Sequence, residues 1–211
     1  MGHVVLLGDS ILDNGAYTGD GPDVITQLRT LLPRGWTATL LAVDGSVAAG
    51  LVAQAARVPR GATHLVVSAG GNDALRHVAL LDAPARSGGE VLDRLADAAA
   101  GFEADYRAGL ATVVDRGLPT IACTIYNGSA PDPAFQRRAT TALTLFNDVI
   151  LRVAFEYGLT VIDLRFVCNE AADYANPIEP SSRGGAKIAR AIAGAVGGTG
   201  RASGAATVLV S

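Results

Sequence analysis

Aromatic side chains make up only 5% of this 211-residue sequence, with one Trp, five Tyr and five Phe. That scarcity leaves little from which to build a base-stacking platform or an aromatic carbohydrate-binding face. Histidine is scarcer still, with His3, His64 and His77 making up the whole supply. Two cysteines, Cys123 and Cys168, lie far apart in apolar stretches. Two buried free thiols are therefore expected rather than a disulfide, and the pair cannot form a zinc site alone. Basic charge is not in excess either: 17 Lys and Arg stand against 20 Asp and Glu, a net charge of −3. No nucleic-acid partner and no membrane surface is expected from such a balance. No apolar run reaches the roughly 18 residues of a membrane-spanning helix. The opening Met1-Gly2-His3-Val4-Val5-Leu6-Leu7 is of strand length and gives way at once to polar residues, unlike a secretory leader. The cytoplasm is thus the expected location, and the sequon Asn127-Gly128-Ser129 is expected to be idle.

Apolar residues are plentiful, at 49% of the chain against 18% charged, so a sizeable core is affordable in surface terms and bulk disorder is excluded. Five short runs read as strands: His3 to Leu7, Trp36 to Val43, His64 to Ala69, Leu118 to Ile125 and Leu159 to Leu164. Most are continuously apolar, as parallel strands buried on both faces are. Helical patterns alternate with them, at Asp23 to Arg29, about Glu90 to Arg116, about Ala134 to Tyr157, and Gly184 to Val196. The alternation predicts a three-layer α/β/α sandwich around a flavodoxin-like, five-stranded parallel sheet of order 2-1-3-4-5. One domain over residues 1–196 is expected, followed by a Gly/Ala/Ser-rich tail over 197–211.

Ligands in such sheets bind outside the carboxyl ends of the strands. The loops expected there hold Gly8-Asp9-Ser10, Asp44-Gly45-Ser46, Gly70-Gly71-Asn72-Asp73, Asn127-Gly128-Ser129, and the long stretch from Asn169 to Ser182. No G-x-G-x-x-G follows the first strand, and no Gly-Lys-Ser/Thr makes a phosphate loop. Ser10 alone reads equally well as a helix cap or as a nucleophile on a rigid mount. Gly45 and Asn72 tip the balance, because acyl transfer needs preorganised donors for an oxyanion, here a backbone N–H and a side-chain amide. The acidic residues Asp9, Asp13, Asp20 and Asp23 lack calcium-loop spacing, so neither a metal nor another cofactor is expected.

With these blocks in order, the sequence resembles the SGNH or GDSL-type hydrolases. Gly8 to Asn14 is similar to the family's first block, which would make Ser10 the nucleophile. Asp44-Gly45-Ser46 and Gly70-Gly71-Asn72-Asp73 are similar to the second and third, which would make Gly45 and Asn72 oxyanion donors. The resemblance implies a serine esterase acting on an acyl or acetyl ester of a small molecule. One departure stands out. The family's last block reads Asp-x-x-His-Pro, whereas this chain has Asn176-Pro177-Ile178-Glu179-Pro180. Three outcomes remain open. Glu179 replaces the histidine as base, its pKa raised by burial; His77 or another group supplies the base; or hydrolysis is lost and the site only binds a ligand. Asp9, Asn176 and Arg183 are the expected substrate-binding residues of this cleft.

Overall fold

A strand with neighbours on both sides and helices above and below must be apolar on both faces. The first strand, β1 (His3–Gly8), is buried from Val4 onward. The computed structural model describes residues 1–197. The expected tail lies outside the described residues apart from Gly197. Around β1 stand β2 (Thr37–Leu40), β3 (His64–Ser68), β4 (Thr120–Cys123) and β5 (Thr160–Ile162). All pairings are parallel, and the order is β2-β1-β3-β4-β5, as the sequence pattern implies.

Side chains alternate across a strand, and here the alternation feeds two cores. Val4 and Leu6 pack to one face, against α1 (Val24–Leu31), α6 (Leu164–Val167) and α7 (Ser182–Val196). Val5 and Leu7 pack to the other, against α2 (Leu51–Ala56), α4 (Gly88–Val114) and α5 (Pro133–Glu156). Each fully buried Leu or Ile contributes about 1.5–3 kcal/mol relative to exposure. The long helices start where their capping residues stand. Asp23 accepts the Thr26 N–H at 2.9 Å, Ser87 accepts that of Glu90 at 3.1 Å, and Asp132 accepts that of Ala134 at 2.9 Å before Pro133.

Two differences from the sequence pattern have local causes. The second strand is shorter than the apolar run from Trp36 to Val43, because the N–H groups of Leu41 and Ala42 both converge on the Leu6 carbonyl and bend the chain out of the ladder. Three short helices, α2, α6 and α3 (Gly71–Leu75), interrupt what the sequence leaves as loop. Each spans too little chain to show a helical period. Cys123 and Cys168 are both buried free thiols, as expected. Among the described residues no helix is long and apolar enough to cross a membrane.

Candidate active site

The strand-end loops converge as the sheet order requires. At the end of β1 the chain must turn within one residue, and Gly8 permits it at φ +130°. A Cβ there would sit 1.7 Å from the Ser68 carbonyl oxygen, so no other residue fits. Buried Gln54 of α2 then clamps Gly8 from the side, accepting its N–H at 2.6 Å and donating to its carbonyl at 2.8 Å. Asp9 closes the next turn, its Oδ1 accepting the Ile11 N–H at 3.2 Å. These contacts leave Ser10 buried, with its hydroxyl at the edge of a cavity.

The second and third loops are tied to each other. Asn72 Nδ2 donates to the Ser46 carbonyl at 2.9 Å, and Asp73 Oδ2 accepts the Ala48 N–H at 3.0 Å. An amide carries two N–H groups, so Asn72 keeps a second donor after this bond. Gly45 adopts φ +76° on the exposed side of the turn. Among the described residues neither the Gly45 N–H nor the Ser10 N–H has a backbone acceptor. Asn72 lines the same cavity as Ser10, whereas Gly45 is exposed and is not among the residues that line it.

The last loop brings Glu179. Its backbone is held from three sides. The Asn176 Oδ1 accepts the N–H groups of Ile178 and Glu179 at 3.0 and 2.9 Å, Tyr126 donates its hydroxyl to the Ile178 carbonyl at 2.6 Å, and Asn14 Nδ2 donates to the Pro180 carbonyl at 3.1 Å. The Glu179 side chain is buried, and Oε2 has no hydrogen-bond partner. Desolvation therefore raises its pKa, the Ser10 hydroxyl partly offsets that rise, and the charge of Asp44 adds to it. Ser10, Asn72 and Glu179 all line the same cavity.

That cavity measures about 140 Å³ and is walled mainly by apolar side chains, among them Leu75, Val78, Leu143, Phe146 and Ile178. Its size is close to that of an engineered apolar cavity that takes up benzene. Among the described residues no Lys or Arg lines it, whereas His77 does, packed toward Phe146 at a ring separation of 6.3 Å. His77 therefore stands in the cleft, just past the C-terminal end of α3 and directly before the 3-10 turn Val78–Leu81.

The residues expected to bind substrate are placed differently. Arg183 does not line the cavity: its guanidinium pairs with Glu170 and lies 3.6 Å from Asp173, which draws it to the outer side of the loop. Asn176 is exposed, and its Oδ1 is taken up by the turn that presents Glu179. Asp9 does line the cavity, but one carboxyl oxygen serves the turn and the other is buried without a partner. Gln54 and Tyr126 are supports that no sequence signal marks. A glutamine on a short helix looks like a surface residue, and a tyrosine after an apolar run looks like core. Asn14 does lie within the first block, but its partner is 166 residues away.

Over residues 6–186 the sequence matches the GDSL-like Lipase/Acylhydrolase family. The chain belongs to this family. No curated protein matches the sequence significantly. Solved structures carry the same GDSL fold at low identity. An extracellular lipase from Streptomyces rimosus shares 18% identity at a TM-score of 0.65, covering 89% of this chain and 96% of that one. Phospholipase A1 from Streptomyces albidoflavus shares 14% at 0.67, covering 88% and 95%. A carbohydrate acetylesterase from Sinorhizobium meliloti shares 13% at 0.63, covering 94% and 100%. Membership of the GDSL family supports hydrolysis of ester bonds in general.

Proposed function

We propose that the protein is a serine ester hydrolase in which a carboxylate, Glu179, stands in for the family's histidine. Ser10 Oγ attacks the ester carbonyl while its proton passes to Glu179. The N–H groups of Ser10 and Gly45 and the free N–H of Asn72 meet the oxyanion. When the tetrahedral adduct collapses, the ester C–O bond breaks and the alcohol leaves with the proton that Glu179 returns. Water, deprotonated by Glu179, then attacks the Ser10 acyl group; the acyl–Oγ bond breaks, Glu179 returns the proton to Ser10 Oγ and the carboxylic acid departs. Glutamate is ordinarily the weaker base, at about 4.3 against about 6.5 for histidine, and the raised pKa of buried Glu179 narrows that gap.

The single observation that carries this reading is that Ser10, Asn72 and the buried Glu179 line one cavity. The apolar walls suit the acyl half of a small ester. Their volume, about 140 Å³, favours a short chain or a single ring over a long fatty chain. No cofactor takes part in these steps. A fluorophosphonate carrying a short alkyl chain tests the assignment. Mass spectrometry is expected to find it bound to Ser10, and Ser10→Ala is expected to abolish both labelling and turnover of p-nitrophenyl butyrate while the protein stays folded. Full turnover by Ser10→Ala would contradict the mechanism.

A further inference from the structure

Aromatic residues make up 5% of the chain, yet Tyr126, Phe135 and Phe146 all line the apolar cavity, and His77 adds a fourth ring. Phe146 and His77 form the outer end of a row. Ring centroids stand 5.3 Å apart from Tyr106 to Phe102, 5.2 Å from Phe102 to Phe146 and 6.3 Å from Phe146 to His77. All three separations lie in the range of about 4.5–7 Å in which rings attract one another beyond simple burial. The row begins at Tyr106, sealed in the core, and its last two members reach the cavity. A ligand ring placed beside them continues it.

The wall that carries Phe146 is also fixed in shape. Buried Asn147, the next residue along α5, accepts the Ile125 N–H at 2.7 Å and donates to the Ile125 carbonyl at 2.9 Å. That clamp ties α5 to the chain just after β4 and holds Phe146, itself 2% exposed, where it stands. One helical turn earlier, Ala142 lines the cavity with only a methyl group, which keeps space open beside Phe146. A fixed wall favours a rigid occupant. A flexible acyl chain loses rotational freedom on binding, whereas a ring attached directly to the carbonyl has little to lose. At about 140 Å³ the cavity is of a size to take one such ring.

We propose that the acyl half of the ester is an aromatic ring joined directly to the carbonyl, seated against Phe146 and His77. The proposal rests on Ser10 hydrolysing an ester whose acyl half occupies this cavity, and it names the chemistry of that half.

Titration of the intact protein with three carboxamides, followed by NMR chemical shifts, separates binding from chemistry. Benzamide, cyclohexanecarboxamide and heptanamide are matched in carbon, nitrogen and oxygen count and differ in aromaticity and stiffness. Benzamide is expected to bind about threefold or more tightly than either of the others, as one added aromatic contact allows. In Phe146→Leu the three affinities are expected to fall within about twofold of one another. His77→Leu, at a half-buried position, is the second variant and is expected to shrink the preference. Benzamide binding no more tightly than the other two, a preference untouched by both variants, or failure of all three to bind would overturn the ring site. Hydrolysis of the ethyl esters of the same three acids provides the second arm, with each kcat/KM divided by that ester's own rate with hydroxide. The benzoate is expected to lead by about threefold or more. Turnover without such a lead would contradict the ring site and leave the Ser10 mechanism standing. Ring preference in binding without turnover of any ester would contradict the Ser10 mechanism and leave the ring site standing.

Discussion

Burial strengthens a carboxyl's hold on its proton, because the ionised form loses its water. At Asp9 this desolvation is the largest influence; the Ile11 N–H opposes it, the charges of Glu179 and Asp73 reinforce it, and the pKa is pushed up to about 8. An unfolded aspartate titrates near 3.9. Below about pH 4 both states hold the proton and Asp9 has no influence on stability. Between about 4 and 8 the unfolded chain gives up its proton and the folded one keeps it, so stability falls as pH rises. Asp73 and Glu179, also raised by desolvation, act in the same direction. Urea unfolding followed from pH 4.5 to 8 is expected to show ΔG declining across this window. Asp9→Asn, which keeps an acceptor for Ile11, is expected to flatten the decline; an unaltered slope would mean that Asp9 is ionised in the fold. At this scale the sequence was legible in which residues come together and opaque where the geometry of a partner decides. Ser10, Asn72 and Glu179 share one cavity, but Arg183 is turned away by Glu170, 13 positions earlier and not marked by any motif.

Short elements hold the loop of Ser10, and their contribution rests on polar contacts that a pattern of apolar residues does not display. Gln54 is the example. It lies in the six-residue helix α2, is 4% exposed, and satisfies both backbone groups of Gly8. Gln54→Leu would leave a buried N–H and a buried carbonyl unpaired, at about 1–3 kcal/mol each. Chemical denaturation is therefore expected to show a loss of about 2–4 kcal/mol, with kcat reduced as Ser10 loses its mount. A change below about 0.5 kcal/mol would mean that β1 holds Gly8 without the clamp. The long helices α4 and α5, by contrast, were legible to within a few residues. Each shows a sustained apolar stripe, and each begins at a capping residue. Strand ends were read less well, because the apolar run continues past the last ladder bond, as it does at Leu41 and Ala42.

Across the whole molecule, five parallel strands with the order reversing beside β1 put their five carboxyl-end loops at one edge of the sheet. That topology followed from the alternation of buried runs and amphipathic helices, and the two cores on either face bear it out. What the order alone does not give is the chemistry of the last loop, where we propose that Asn176 and Glu179 replace the usual acid and base, and where Tyr126 and Asn14 hold the turn in place. The pH dependence of kcat/KM in the wild type and in Glu179→Gln tests that replacement most directly. If ionised Glu179 takes the Ser10 proton, the wild-type rate rises with pH along a limb whose midpoint lies above the ordinary glutamate value of about 4.3. In Glu179→Gln that limb is expected to disappear and the plateau to fall by about 10²–10⁴. An unchanged profile in Glu179→Gln would contradict the carboxylate base and point to His77 or a bound water instead.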